Sequence, residues 1–66
     1  MVREFTAIPR QVREEDGRVE ILFVGRPAYL WCHRPEWAEL AREAIESGRA
    51  LKVCWQSSNG ELLELG

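Results

Sequence analysis

The side chains best suited to chemistry are concentrated in one stretch of this 66-residue chain. All three tryptophans, both cysteines and the only histidine fall there. Trp31-Cys32-His33 precedes a segment with helical periodicity, and Cys54-Trp55 follows that segment. Thiols and imidazoles bind metals or act as nucleophiles and bases, while tryptophan supplies contact area. The cluster is therefore compatible with a metal centre, a thiol enzyme, a binding surface or a hydrophobic core.

The spacing of these residues argues against a metal centre. Cys32 and His33 are adjacent, and adjacent residues of a strand point to opposite faces, so the two do not easily share one ion. The chain has no Cys-x-x-Cys pair, and its three soft side chains fall short of the four ligands of structural zinc. We expect no metal and no small-molecule cofactor.

A thiol enzyme is not expected either. The N-terminus of the following helix would favour a thiolate at Cys32, but Glu36 and Glu39 in its first turn oppose that effect. The helix glutamates are spaced as a solvated face and not as an acid–base pair. A chain this short builds a deep pocket with difficulty. The sequence predicts a non-enzymatic protein.

Length and composition predict one folded domain over 1–66. The chain is 45% hydrophobic and 30% charged, which is typical of folded proteins. No secretory apolar region follows Met1, and no apolar run approaches the ~20 residues of a membrane span. We expect a cytoplasmic protein with reduced thiols and no membrane association. The net charge of −2 argues against affinity that depends mainly on phosphate contacts.

One helix is predicted over 35–47. Pro35 suits the first helical position, and Gly48 suits the left-handed position that ends a helix. Between them, apolar residues recur at the helical period and form a single stripe. Its members are Trp37, Leu40, Ala41, Ala44 and Ile45. The helix is expected to pack one face against the rest of the chain, with Trp37 in the core.

Alternating hydrophobicity predicts strands on both sides of the helix, over 18–24, 28–33 and 51–56. Residues 58–60 (Ser-Asn-Gly) indicate a three-residue hairpin loop with glycine in the left-handed conformation. That loop would set Trp55 opposite Leu63 and Val53 opposite Leu65 on one apolar face, with Trp55 in the core. A fifth strand therefore follows the hairpin loop.

The first predicted strand, over 5–12, is interrupted by Pro9, which restricts it to an edge, an end or a bulge. Residues 14–17 (Glu-Glu-Asp-Gly) are expected to turn the chain. A four-residue loop there would set Val12 opposite Val19.

The element order is thus β-β-β-α-β-β, an α+β chain made mostly of strands. Five short antiparallel strands with one helix between the third and fourth resemble the order of an OB-type barrel. A barrel also removes the unpaired edges that a sheet this small would expose. The alternative is an open antiparallel sheet with the helix on one face.

Tyr29, Trp31 and His33 alternate along the predicted third strand, and their orientation decides whether the chain has an aromatic surface. A two-residue turn at 25–26 would leave them outside the core. A three-residue turn at 25–27 would bury them.

The sequence leaves both turns open. Pro27 cannot donate the hydrogen bond that closes the shorter turn, which favours the longer one. The longer turn, however, would pair Leu22 with Leu30 on the outside.

Binding is the function that the sequence favours. The candidate surface combines aromatic rings with arginines, and its residues are Tyr29, Trp31, His33, Arg18, Arg26 and Arg34. Such residues are typical of protein–protein contacts, so a protein partner or self-association is the first hypothesis. The alternative is single-stranded nucleic acid stacked on the second and third strands. The absence of a clear basic stripe favours the first.

Overall fold

Six strands and one helix make up the fold, so the prediction of an α+β chain that is mostly strands is confirmed. The computed structural model describes all residues, 1–66. In chain order the elements are β1 (Val2–Ala7), β2 (Pro9–Glu15), β3 (Arg18–Phe23), β4 (Leu30–Cys32), α1 (Pro35–Ser47), β5 (Leu51–Gln56) and β6 (Glu61–Leu65).

The strands form one sheet in the order β1-β5-β6-β4-β3-β2. Every neighbouring pair is antiparallel except β4 and β6, which run parallel, so the expectation of an all-antiparallel sheet is wrong at this pair. The parallel pair arises because β5, which follows α1, does not lie next to β4 in the sheet but one strand position further away. The β5–β6 hairpin then brings β6 back beside β4.

The sheet is open, and the predicted OB-like barrel is not confirmed. Its two ends are β1 and β2, which share no ladder although only Ile8 separates them in the chain. Pro9 explains the division of the predicted first strand, because proline has no N–H to donate to a ladder. A bulge between Pro9 and Gln11 bends the chain further.

Helix α1 spans the predicted residues. Pro35 occupies its first turn, and Gly48 ends it with a φ of 69°. Its fully buried side chains are Ala38, Ala41 and Ala44. The buried face of the helix is therefore rotated relative to the predicted apolar stripe. Trp37 is half-buried and Ile45, at the end of the stripe, is exposed. Small alanines let the helix lie close to β2 and β3, which leaves the larger side chains at the rim of the contact.

The β2–β3 hairpin has a different register from the predicted one. Asp16 and Gly17 form a two-residue turn with φ values of 51° and 79°, as a type I′ turn requires. Glu15 therefore pairs with Arg18 and the apolar residue Val12 pairs with Ile21, not Val19. The prediction was wrong because it treated Asp-Gly as part of a longer loop.

The β5–β6 hairpin follows the prediction at one end only. Val53 pairs with Leu65 as expected, and Gly60 is left-handed with a φ of 78°. Trp55, next to a register shift, lies opposite Leu62 and not Leu63. The loop has four residues, 57–60, and not the predicted three, which sets Trp55 opposite Leu62; the extra residue of the bulge, Leu63, then restores the predicted pairing of Val53 with Leu65.

The core lies between the sheet and α1. Its buried residues come from β3, β4, α1, β5 and β6 and are Val19, Ile21, Phe23, Leu30, Cys32, Ala38, Ala41, Val53 and Leu62. Trp37 and Trp55 pack against this core but remain half-buried. Each fully buried Val, Ile, Leu or Phe side chain contributes about 1.5–3 kcal/mol, so this small core accounts for most of the favourable free energy.

Candidate binding surface on the outer face of the sheet

Strand β4 turns its one aromatic residue, Trp31, away from the core. Leu30 pairs with Ile21 and Cys32 pairs with Val19, and the two β4 side chains are 6% and 3% exposed. Since neighbouring strand residues point to opposite faces, Trp31 lies on the outer face, where it is half-buried. The sequence left this orientation open, and the structure decides it.

The register of β3 and β4 is the one that a two-residue turn at 25–26 would produce. The connection itself is longer, because the paired strands separate beyond Ile21 and Leu30. Gly25 has a φ of 82°, and the Arg26 N–H donates to the Phe23 carbonyl at 3.1 Å. Pro27 therefore lies outside the paired part of the two strands, so its missing N–H removes no hydrogen bond between them. The argument that favoured the three-residue turn does not apply.

Trp31 is held in a defined position on the outer face. Its indole N–H donates to the backbone carbonyl of Asn59 in the β5–β6 loop at 2.8 Å. The Arg18 guanidinium lies over its ring at 4.8 Å from the centroid. His33 packs edge-on at 5.6 Å, and its Nδ1–H donates to the Gly17 carbonyl at 3.2 Å. Two loops and two strands thus orient one aromatic side chain.

A second arginine continues the arrangement towards Tyr29. The Arg13 guanidinium lies 3.9 Å from the centre of the Tyr29 ring. The Glu20 carboxylate links the two arginines, at 2.8 Å from Arg13 and 3.4 Å from Arg18. We call this continuous surface the β4 patch; its members are Arg13, Arg18, Glu20, Tyr29, Trp31 and His33.

The contacts within the β4 patch are individually weak. A cation–π contact at an exposed site contributes about 0.5–1 kcal/mol, and an exposed ion pair contributes about 0–1 kcal/mol. Their combined effect is to order the side chains and not to stabilise the fold strongly. The Arg18 side chain is still 47% exposed, so its charged end remains available to a partner.

The structure gathers four of the six predicted site residues in the β4 patch and places two elsewhere. Arg26 lies over the Phe5 ring at 3.9 Å. Arg34 lies over Trp37 at 4.9 Å and pairs with Glu36 at 3.8 Å. Arg26 lies in the β3–β4 connection and Arg34 precedes α1, and the rings that they cover lie outside the β4 patch.

Arg13, Glu20 and Asn59 were not predicted as site residues. Arg13 and Glu20 are cross-strand partners, and reading Asp-Gly as a two-residue turn would have placed them opposite each other. The contact of Asn59 depends on the sheet order, because only the parallel pairing of β4 with β6 brings its loop to Trp31. No local sequence signal contains that information.

The two thiols are not activated as nucleophiles. Burial raises the pKa of the Cys32 thiol, and this effect exceeds the lowering by a backbone hydrogen bond and the positive charge of Arg34. Desolvation raises the pKa of Cys54, and the carboxylates of Glu4 and Glu64 raise it further. A raised pKa leaves less thiolate at neutral pH.

Comparison with known proteins adds no family to this description. Neither a protein-family model, nor a curated protein, nor a solved structure matches the chain. No three histidine, cysteine or acidic side chains are arranged to hold a metal ion. The structure also contains no helix with the length and apolar character needed to cross a membrane.

Proposed function

We propose that this protein is a small, non-enzymatic interaction module that binds a protein surface through the β4 patch. The position of Glu20 carries the proposal, because its carboxylate pairs with both Arg13 and Arg18 and offsets one of their two positive charges. A phosphate backbone is recognised by unbalanced positive charge, whereas protein interfaces combine aromatic rings with paired arginines. The net charge of −2 points in the same direction.

The ordering of Trp31 supports the same function. Immobilising a free side chain on binding costs about 0.5–1.5 kcal/mol, and an ordered anchor avoids part of that cost. Trp31 is already fixed by its hydrogen bond to Asn59 and by the ring of His33. It is suited to be the central anchor of an interface, with Tyr29 and Arg18 beside it.

Arg18 and Arg49 provide a matched pair of variants for the test. Both side chains are 47% exposed and both lie 3.4 Å from a glutamate carboxylate, but only Arg18 belongs to the β4 patch. Sedimentation velocity over a concentration series should detect self-association. Capture of proteins from a lysate on the immobilised chain, read by mass spectrometry, should detect a different partner.

We expect Arg18→Ala to weaken one of these two interactions by about tenfold or more and Arg49→Ala to leave it unchanged. Equal behaviour of the wild type and both variants in both experiments would contradict the proposal. Circular dichroism should show that each variant remains folded, since exposed ion pairs contribute little to stability.

Single-stranded nucleic acid is the second candidate, favoured by the exposed ring of Trp31 next to a guanidinium. A labelled oligothymidylate titrated at low salt separates it from the first. We expect no binding. Binding that is lost steeply with added salt and with Trp31→Ala would replace the protein-interaction proposal with a nucleic-acid one.

For the finer architecture, we propose that the open sheet curls into an OB-type barrel. Three observations support this: β1 and β2 are joined through Ile8, β4 and β6 are parallel, and the rings of Phe5 and Phe23 meet edge-on at 5.4 Å. These rings belong to strands far apart in the sheet order. Nuclear Overhauser contacts between them in solution are expected, and their absence would contradict the barrel.

For cellular location, we propose the cytoplasm. Cys32 and Cys54 are both free thiols, which suits a reducing compartment. Alkylation of freshly lysed cells is expected to label both as thiols, whereas recovery of either in a mixed disulfide would argue for an oxidising compartment.

A further inference from the structure

A cleft of about 330 Å³ opens between the β3–β4 connection, the sheet and the β5–β6 loop. Three aromatic side chains line it: Phe5 from β1, Tyr29 from the connection and Trp55 from β5. Leu30 adds aliphatic surface. Phe5, Tyr29 and Trp55 are each half-buried, so each keeps some solvent-accessible surface. The cleft shares Tyr29 with the β4 patch, and its other lining residues lie outside the patch.

Arg26 is the only charged residue of this cleft. Its guanidinium lies over the Phe5 ring, 3.9 Å from the centre, and it has no carboxylate within ion-pairing distance. Stacking engages the flat face of a guanidinium and leaves the N–H donors at its edge free. The guanidinium of Arg26 is therefore held in a fixed orientation, and its N–H groups are free to donate hydrogen bonds to a ligand in the apolar cleft.

The charge of this cleft distinguishes it from the other two depressions of the surface. One of them is lined by Glu4 and Glu64, and the other by three glutamates from β2 and β3. In a chain of net charge −2, the aromatic cleft is the one without a carboxylate. Its field therefore attracts an anion, and its walls favour an aromatic ring.

The volume limits the size of the occupant. Sites for small molecules range over about 300–1,000 Å³, and this cleft lies at the lower end. One ring system with a short acidic substituent fits that volume better than a stretch of peptide.

We propose that the cleft binds a small aromatic anion, whose ring packs against Phe5, Tyr29 and Trp55 and whose carboxylate or phosphate pairs with Arg26. The inference is independent of the proposed protein interaction. The ring would take the apolar space, and the acidic group would accept hydrogen bonds from the free edge of the guanidinium. Both contacts are needed, because neither a neutral ring nor an aliphatic anion uses the whole site.

Three probes separate these contributions. Indole-3-acetate carries the ring and the charge, indole-3-acetamide has nearly the same shape without the charge, and acetate has the charge without the ring. Titrations of the labelled protein, followed by the NMR signals of the Trp55 indole and the Gly60 amide, report on the cleft. The Trp37 indole signal, on the helix, serves as the internal control.

We expect indole-3-acetate to bind at least about tenfold more tightly than indole-3-acetamide, since a hydrogen bond to a charged group accounts for such a factor. Acetate should cause no saturable shift. Equal affinity of the two indoles, or the absence of saturable binding by indole-3-acetate, would overturn the proposal.

Arg26→Gln should remove the difference between the two indoles. Arg10→Gln is the matched control, because Arg10 is also exposed and lacks an ion pair but lies outside the cleft. If Arg26→Gln fails to fold, Arg26→Lys keeps the charge without the flat fork and should retain only part of the preference. A preference that survives Arg26→Gln unchanged in a folded protein would overturn the assignment to Arg26.

Arg18→Ala distinguishes this proposal from the protein interaction. It should weaken partner binding and leave the affinity for indole-3-acetate within about twofold, since Arg18 contacts Glu20 and Trp31 and none of the residues that line the cleft. A tryptophan-ended peptide is the last probe. If that peptide binds while free indole-3-acetate does not, the cleft receives a chain terminus and the small-molecule proposal is wrong.

Discussion

Trp31 and Trp37 have nearly the same arginine contact but different environments. Arg18 lies 4.8 Å from the Trp31 ring, and Arg34 lies 4.9 Å from the Trp37 ring. Trp37 packs against the core at the start of α1, whereas Trp31 lies on the outer face and is tied to a loop carbonyl. The same pair of side-chain types thus supports the fold in one place and forms an exposed surface in the other.

The cysteines show the same division between the two faces of the sheet. Cys32 is buried in the core, and Cys54 lies half-buried on the outer face between Glu4 and Glu64. Position on one face or the other, and not residue type, decides what each side chain does. The following predictions test how far this division holds.

Truncation of the two tryptophans should give the largest difference in stability. Trp37→Ala is expected to lower the free energy of unfolding by about 3 kcal/mol, because it removes a large side chain packed on the core. Trp31→Ala should cost about 1 kcal/mol, since it loses one hydrogen bond and exposed contacts. Urea unfolding measures both, and equal losses would show that Trp31 is also part of the core.

The thiols should differ in their rates of alkylation by about 100-fold. Cys32 reacts only when its surroundings open, and an opening free energy of a few kcal/mol slows labelling by that factor. Both pKa values are raised, so both thiols should react more slowly than a free cysteine at neutral pH.

As pH rises past the usual thiol range near ~8.5, the thiolate fraction and the labelling rate should increase at both sites. Mass spectrometry of timed samples identifies which residue is modified. Labelling of Cys32 before Cys54 would contradict the division between the faces.

A substitution at Gly60 tests the loop that contacts Trp31. Gly60→Ala should cost about 1–2 kcal/mol, because its φ of 78° is unfavourable for a residue with a Cβ. The added methyl group would lie 3.8 Å from Trp31 Cδ1, an ordinary contact, so the loss arises from the backbone. Gly66→Ala has nothing within 4 Å and serves as the control, with no measurable change in melting temperature expected.

The smallest effect is expected for the ion pair that joins the helix to the sheet. Arg42 and Glu14 lie 2.7 Å apart, and their side chains are 51% and 40% exposed. A double-mutant cycle with Arg42→Ala and Glu14→Ala should give a coupling energy of about 0.5 kcal/mol that decreases with added salt. A coupling energy of several kcal/mol would mean that this contact, and not the alanine stripe, attaches the helix.

Several parts of the fold were predictable because their causes are local. Pro35 and Gly48 bound the helix correctly, and the alternation of β3 identifies its buried face. Each of these depends on dihedral preferences or on side chains a few residues apart.

The candidate site was predictable only in part. Tyr29 and Trp31 were identified by residue type, and Arg18 by its place on the neighbouring strand. The facing direction of β4 was not predictable, because the length of its turn did not determine its register. The linking role of Glu20 was missed because Asp-Gly was not taken as a two-residue turn. The cleft at Arg26 was missed because its lining residues are distant from one another in the chain.

By itself, the sequence determined the helix, most of the strand positions and the kinds of side chain available for binding. Those features follow from backbone propensity and periodicity, which act over a few residues. Only the tertiary structure decided the parallel pairing of β4 with β6, the outward direction of Trp31 and the separation of Arg26 and Arg34 from the β4 patch. These features depend on how the whole chain buries its limited apolar surface, which cannot be read from any short segment of the sequence.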